Sequence, residues 1–578
     1  MLLTRSELND LDDYFDLGDY HRPVTTSSPE AQTWFDRGLI WCYSFNHEEA
    51  VLCFERATEL DPSFAMAHWG IAYAQGPNYN KTWEAFDGED LRASVARTHQ
   101  EIERAQELSS SASKLEQALI DALAKRYQAA AADEISPAWN EDYAEAMGKV
   151  YAEFSDDLEV AALYAEALMN LTPWKLWNER TGEPAPGSHA LKVREIFDRA
   201  LELPGGKSHP GILHFYIHLM EMSSTPEAAI PIADRLRGLI PDGGHMHHMP
   251  SHLDVLCGDF RRAITSNSDA IVADEKYRRR RGAMNFYTLY RSHDYHFRIY
   301  AAMFVGQSEV ALETAAQLEA SIPEDLLRVT SPPMADWLEG FIAMRVHVLI
   351  RFGRWQEILD LPFPEDSGLY CVTTAMQHYA RGVALASLSR IEEAEAEREL
   401  FRMAVTKVPE SRTLFNNICL DILEVAASML DGELEYRKGN YEAAFAHLRR
   451  SIEIDDALPY DEPWGWMQPT RHAYGALLLE QGHVEEAAAV YAADLGFNSS
   501  LPRGQQHPGN VWALHGYHEC LQLLGRDAEA VLVGHQLKIA VAMADVPIEA
   551  SCFCRLSAIG AEQTSGTPSC CTVTATRG

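Results

Sequence analysis

The chain contains 578 residues and carries a formal net charge of −36 at pH 7. Hydrophobic residues make up 47% of it and aromatic residues 10%; a disordered chain would be poorer in both, so we expect a folded protein. The negative charge argues against polyanionic partners, namely nucleic acids and anionic membrane surfaces. The composition therefore favours a small molecule, a peptide or a cation as the partner.

The N-terminal residues, MLLTRSELNDLDDYFDL, lack the apolar core that a secretory signal peptide requires. No apolar run in the sequence approaches the roughly 18 residues that span a bilayer. The ten cysteines are too dilute for a disulfide scaffold and fit a reducing compartment. We therefore predict a cytoplasmic protein that does not bind membranes.

Small and large apolar residues alternate with a repeat-like spacing near the N-terminus. Ala50, Phe54, Ala57 and Pro62 follow the pattern A-x3-F-x2-A-x4-P, and AHWGIAY follows from Ala67. On these residues the chain resembles the tetratricopeptide repeat family. The resemblance implies an all-α solenoid of helix pairs, in which the first helix of each pair lines a concave groove.

A turn followed by an Ala-rich helix recurs along the chain, at intervals longer than the standard repeat. The predicted turns lie at Gly258, Gly306, Gly353, Ser389, Gly439, Gly482 and Gly525. Residues rich in Pro and Gly predict loops at 174–188 and 498–509. We therefore divide the chain into an N-terminal extension (1–28), a single repeat array (29–557) and a disordered tail (558–578).

Histidines concentrate in the middle of this predicted array. Nine of the 23 fall within the 88 residues from His209 to His296, where even spacing would place roughly three or four. At about 100° per residue on a helix, the members of each of three groups share one face. The groups are His214, His218 and Glu221; His245, His248 and His252; and His293 with His296.

We expect these groups on first helices of three consecutive repeats. The first helix covers Pro210–Met222, and its partner covers Glu227–Leu239. The second begins near Pro250, which places His245 in the turn before it. The third covers Asn285–Val305. Helix axes about 8–10 Å apart let such imidazoles meet in a shared space.

Imidazoles that converge with a carboxylate form a typical transition-metal site, and Cu, Fe and Zn all suit such ligands. Met246 and Met249 favour copper among the three. The phrases HFYIHLME and GHMHHMPSHL also resemble a subgroup of bacterial and fungal tetratricopeptide proteins, which implies that the histidines act as one unit. The predicted metal ligands are His214, His218, Glu221, His245, His248, His252, His293 and His296.

These observations predict a metal-dependent enzyme that acts on a small organic substrate, with oxidative chemistry favoured over hydrolysis. Glu221 is the predicted general base. The alternative is a non-catalytic scaffold whose histidine-lined groove binds a peptide or protein. A second site, formed by Cys552 and Cys554 with His515 and His518, stays open at this point.

Overall fold

A computed structural model describes residues 14–555, so the predicted tail at 558–578 lies outside the described residues. The described chain divides into two compact units. Unit 1 takes the chain up to Ala301, together with Thr314–Phe341 and Ser499–Pro508. Unit 2 takes Ala302–Glu313, Ile342–Asn498 and the chain from Gly509 onward. The prediction of a single array from 29 to 557 stays a prediction.

The first half of the described chain consists of α-helices joined by loops and short 3-10 turns. In chain order its helices are α1 (Pro29–Tyr43), α2 (His47–Leu60), α3 (Ala65–Gln75), α4 (Gly88–Leu108), α5 (Lys114–Leu123), α6 (Ala138–Glu153), α7 (Leu158–Met169), α8 (Ala190–Glu202), α9 (Pro210–Glu221), α10 (Ile230–Leu236), α11 (Gly244–His248), α12 (Pro250–Leu256), α13 (Phe260–Arg281) and α14 (Thr288–Phe304).

The second half continues in the same way and adds one short antiparallel hairpin, β1 (Thr413–Leu414) with β2 (Asn417–Ile418). Its helices are α15 (Ser308–Ser321), α16 (Glu324–Leu327), α17 (Met334–Ile342), α18 (Met344–Arg351), α19 (Trp355–Asp360), α20 (Cys371–Ser387), α21 (Ile391–Val405), α22 (Cys419–Arg437), α23 (Tyr441–Asp455), α24 (Thr470–Glu480), α25 (Val484–Asp494), α26 (Val511–Leu523) and α27 (Asp527–Val541). None of the helices formed by residues 14–555 is long and apolar enough to cross a bilayer.

Consecutive helices pack against each other as pairs in both units. In unit 1 the pairs include α1 with α2, α3 with α4 and α6 with α7. In unit 2 they include α20 with α21, α22 with α23, α24 with α25 and α26 with α27. The predicted all-α fold of tetratricopeptide-like helix pairs is therefore confirmed.

Close packing explains why the repeat pattern needs small residues. Phe54 on α2 is fully buried, and its ring lies where a Cβ on Gly38 or Gly70 would be, at 2.5 Å and 2.6 Å from ring atoms. Gly38 is on α1 and Gly70 on α3, so glycine lets both helices approach the same ring. In unit 2, Tyr491 on α25 fills the same kind of gap between Gly475 on α24 and Gly516 on α26.

The seven predicted turns are confirmed, because each lies between two consecutive helices. All seven have positive φ, from 61° to 81°: Gly258, Gly306, Gly353, Ser389, Gly439, Gly482 and Gly525. Six of them are glycine, which adopts this left-handed conformation without steric cost. Ser389 is the exception, at φ 61°.

The helices that carry the histidine groups follow the prediction, with one difference. Helix α9 ends at Glu221, and Pro250 is the first residue of α12. We predicted His245 in a turn, but it lies in the short helix α11. Met249, between α11 and α12, keeps helical backbone angles, but Pro250 has no N–H to donate, so the hydrogen-bond ladder is interrupted there.

Replacing Ser389 by glycine tests the conformational argument at the turn between α20 and α21. The side chain is exposed, so the change removes left-handed strain without removing packing. We expect Ser389→Gly to raise the free energy of unfolding by about 0.5–1 kcal/mol, measured from urea titrations followed by circular dichroism. Ser428→Gly, inside α22, is the control and should lower it by about the same amount. A loss of stability in Ser389→Gly would contradict the argument.

Candidate metal centre

Six of the predicted ligands form two sets of three imidazoles in unit 1. Set A consists of His214, His218 and His245. Set B consists of His248, His252 and His293. Within each set, one nitrogen from every ring lies within 4.8 Å of the other two.

Four helices of unit 1, namely α9, α11, α12 and α14, supply these side chains. Helix α9 contributes His214 and His218, one turn apart, and α11 contributes His245 to set A and His248 to set B. Set B is completed from α12 and α14. Helix α11 therefore carries one ligand for each set, at adjacent positions of one helical turn.

The start of α11 is fixed by a close approach of backbone to side chain. A Cβ on Gly244 would overlap the carboxyl group of Asp274 on α13. The Tyr287 hydroxyl accepts a hydrogen bond from the backbone N–H of His245 at 3.4 Å and donates one to Asp274 at 3.0 Å. Glycine at this position is thus needed to bring His245 into the site.

Hydrogen bonds fix the tautomers in set A. His214 Nδ1 donates to the backbone carbonyl of Tyr43 at 2.6 Å, and His218 Nδ1 donates to Glu221 Oε1 at 2.9 Å. Both Nε2 atoms therefore carry lone pairs. His245 Nε2 lies 3.2 Å from His214 Nε2, while buried His218 Nε2 and His245 Nδ1 have no hydrogen-bond partner.

Hydrogen bonds also fix the tautomers of two rings in set B, and the Nε2 atoms of those two rings lie closer together than those in set A. His248 Nδ1 lies 2.7 Å from Asn267 Oδ1, and the Asn267 amide donates to Ser251 and to the Ala263 carbonyl, so Oδ1 must be the acceptor. His252 Nδ1 donates to Glu221 Oε2 at 2.6 Å. The Nε2 atoms of His248 and His252 nevertheless lie 2.7 Å apart. Because both Nδ1 protons are already donated elsewhere, the two Nε2 atoms must share one cation, either a proton or a metal ion.

Burial favours the neutral form, which binds metals, in five of these imidazoles. Together with mutual repulsion between the rings, it lowers the pKa of five of them: His214, His245, His248, His252 and His293. Burial alone would raise the pKa of Glu221, but the imidazoles of His218 and His252 hold it below its usual value. The centre therefore combines neutral nitrogen ligands with one carboxylate.

Each set is covered by one phenylalanine ring. The Phe45 ring centroid lies 4.6 Å, 5.7 Å and 5.0 Å from the rings of His214, His218 and His245. The Phe297 ring lies 5.0 Å, 5.2 Å and 5.8 Å from those of His248, His252 and His293. Both phenylalanines are buried, so each set has its own apolar wall.

Two aromatic residues beside set A have left-handed backbone. Phe45 has φ 52° in the turn between α1 and α2, where other repeats of this chain place glycine. Trp174 has φ 57°, and its ring lies 5.8 Å from that of His218. Such a conformation is unfavourable for a bulky residue and is typical of functional sites. Neither residue was predicted from the sequence. For Phe45, the occurrence of Phe where other turns of the chain have glycine could have identified it.

A buried carboxyl pair lies beside set B. Burial raises the pKa of Asp274, and burial together with the charge of Asp274 raises that of Asp294. Asp294 Oδ1 is 3.4 Å from His248 Nδ1. These two aspartates could not be predicted as site residues, because their spacing in the sequence does not distinguish them from other aspartates on α13 and α14.

Two predicted ligands lie outside the sets, and their role as ligands stays a prediction. Glu221 is fully buried and uses one oxygen for each of His218 and His252. His296 is also buried and packs edge-on against Phe341, with ring centroids 5.3 Å apart. His247, which we set aside, is partly exposed and lies 3.0 Å from the Pro241 carbonyl.

Whether unit 2 holds a second site was left open by the sequence. Cys552 and Cys554 are joined by a disulfide, so neither sulfur is a thiolate ligand. His515 and His518 lie on α26.

Phe45, whose ring covers set A, also lines a cavity of about 170 Å³. Its walls include Phe86, Phe286 and the Lys81 side chain, whose Nζ pairs with Asp90 at 2.5 Å. His47 also lines it, with neither ring nitrogen hydrogen-bonded, and burial lowers the pKa of His47 to about 4. The cavity thus offers apolar walls and an unpaired neutral imidazole.

Comparison with known proteins gives one family match. Residues 31–64 match the model for the tetratricopeptide repeat, and no curated protein matches the chain. The solved APC/C hetero-tetramer Cut9-Hcn1 shares 14% identity over 85% of this chain and 76% of its own, with TM-score 0.30. Naa15/Naa10 bound to HypK-THB shares 12% identity over 88% and 70%, with TM-score 0.21.

Both TM-scores are low, so the fold assignment rests on the helix pairs and the matched repeat. That repeat is the α1–α2 pair, where Ala50, Phe54 and Ala57 are fully buried. The pairing of consecutive helices and their left-handed turns continue to the C-terminal end of the described chain. Residues 31–64 thus match a tetratricopeptide repeat, and the rest of the described chain continues as tetratricopeptide-like helix pairs.

Proposed function

We propose that this protein is a metal-dependent enzyme whose histidine centre in unit 1 binds a transition metal. One observation carries the proposal: His248 and His252 donate from Nδ1 to fixed acceptors, yet their Nε2 atoms lie 2.7 Å apart. Two nitrogens at that distance share one cation, either a proton or a metal ion. Burial lowers the pKa of both imidazoles and so disfavours the proton, which supports a metal ion.

The dimensions of the centre suit first-row metals. Zinc–imidazole bonds of 2.0–2.1 Å place two nitrogens ~3.3 Å apart around a tetrahedral ion. The Nε2 pair of set A, at 3.2 Å, is close to that separation, and the pair of set B, at 2.7 Å, would have to open by about 0.6 Å. Hydrogen bonds from the opposite ring nitrogen to a carbonyl, an amide oxygen and a carboxylate are those that orient metal-binding histidines. Neutral imidazoles suit Cu, Fe and Zn alike.

A metal ion held this way would polarise a substrate oxygen or activate water or O₂. The chain's own residues supply the surroundings. Phe45 and Phe297 exclude water from the two sets, and Glu221 holds two imidazoles in their binding tautomers. The cavity that Phe45 lines is large enough for a small organic molecule, which supports the proposal that the substrate is small. An all-imidazole ligand set accommodates redox metals, which favours oxidative over hydrolytic chemistry.

Metal content tests the proposal directly. Protein purified without a His tag and loaded with Zn²⁺ should retain the metal after desalting, as measured by elemental analysis. His252→Ala should lose at least half of it, because the change removes a ligand and leaves Glu221 with one partner. His247→Ala is the matched control on the same segment and should keep the wild-type content, with helical circular dichroism preserved in both.

Wild-type protein that takes up no metal would overturn the proposal and leave a repeat scaffold. Equal metal content in His252→Ala and wild type would place the metal elsewhere in the chain.

Glu221→Gln tests how the carboxylate acts. A glutamine amide has one oxygen and so accepts a hydrogen bond from only one of the two imidazoles. The other imidazole loses its acceptor, and its proton is no longer held on Nδ1. We expect metal affinity to fall about 10–100-fold while the amount bound at saturation is unchanged, as measured by competition with a chelator. Glu202→Gln, on the exposed end of α8, should have no effect. A reduced amount bound at saturation would instead make Glu221 a ligand, as the sequence analysis predicted.

Catalysis is tested by comparing metal-free protein with protein loaded with Cu, Fe or Zn. We expect metal-dependent turnover of a small substrate, followed as O₂ consumption with phenols and alcohols and as hydrolysis with esters. His252→Ala should lack that turnover and His247→Ala should keep it. Metal binding without turnover of any of these classes would contradict the enzyme and favour a metal-stabilised scaffold.

A further inference from the structure

We propose that the centre binds two metal ions, one in set A and one in set B. The inference rests on the proposed metal binding and specifies its stoichiometry. The sequence pattern instead favours a single metal centre with eight candidate ligands. The two sets are side by side, and each is built as a complete three-ligand site.

Distance separates the sets. With bonds of 2.0–2.1 Å, one zinc ion cannot touch two nitrogens more than ~4.2 Å apart. Among residues 14–555, the groups of three imidazoles whose nitrogens all lie within 4.8 Å of one another are the two sets, and no such group mixes them. One ion can therefore use the imidazoles of one set and leaves the other set unfilled.

Each set repeats the same construction. In each set, two of the three rings donate a hydrogen bond from Nδ1 to a fixed acceptor. These rings are His214 and His218 in set A, and His248 and His252 in set B. Each set contains one close Nε2 pair, at 3.2 Å in set A and 2.7 Å in set B. Each is also covered by its own phenylalanine ring. Each set thus offers a metal ion the same kind of buried three-imidazole site, which favours filling both.

Two features tie the sets together. The rings of His245 and His248, one turn apart on α11, have centroids 5.6 Å apart. Those of His218 and His252, which share the Glu221 carboxylate, are 6.0 Å apart. Two ions bound to these rings would be near neighbours, so a small substrate at one ion is within reach of the other. Paired ions of this kind stabilise both the attacking and the leaving oxygen in displacement reactions.

Stoichiometry of the full-length protein tests the inference. Metal-free protein is titrated with Zn²⁺, and bound zinc is measured after desalting. Wild type and the control His247→Ala should bind two equivalents. His245→Ala should bind one, through set B, and His293→Ala should bind one, through set A. The double variant should bind none. Helical circular dichroism checks folding, and His245→Gln and His293→Gln replace any alanine variant that fails to fold.

The outcomes separate this inference from the proposed function. No zinc in wild type overturns both. One equivalent in wild type, with only one of the two variants affected, overturns the pair of ions and leaves the metal site intact. Zero or two equivalents in either single variant also overturns it. Loading with Cu²⁺ provides a second readout: wild type should show dipolar broadening of its paramagnetic resonance spectrum, and both single variants should lose it.

Discussion

The Glu221 carboxylate, buried between two imidazoles, is the interaction on which the centre depends. Its oxygens accept from His218 on α9 and from His252 on α12, so it links two helices and both sets of histidines. Burying a charge without partners costs several kcal/mol, and here two short hydrogen bonds and the neighbouring rings offset that cost. Both imidazoles then present Nε2 toward their own set. The position of one carboxylate thus decides which nitrogens can bind a metal.

The repeat architecture explains how the histidines come so close. Tetratricopeptide pairs pack through small residues, as Gly38 and Gly70 do around Phe54. In the histidine region Gly244 plays a similar part, because it brings α11 against Asp274. We expected imidazoles lining a groove, but those of the two sets are buried, with His293 the most exposed at 7%. Such burial raises the cost of leaving any of their polar atoms unpaired, which is a strong reason for a bound cation.

Much of this could be predicted from sequence. Glycine turns and apolar spacing identified the helix pairs, and helical periodicity identified six imidazoles that do converge. The division into two sets could not be predicted, because it depends on the break at Pro250 and on which ring of α11 meets α9 and which meets α14. Asn267, Tyr43, Phe45 and Phe297 were also missed. Their roles come from contacts between residues far apart in the chain, which no local spacing encodes.

The claim that imidazoles of α9, α11, α12 and α14 bind a metal is tested most directly by X-ray absorption at the zinc edge of the loaded, untagged protein. The account predicts a first shell dominated by nitrogen at about 2.0–2.1 Å, with the outer-shell scattering of at least three imidazole rings per zinc. A shell of oxygen alone, or of sulfur, without imidazole scattering would contradict it.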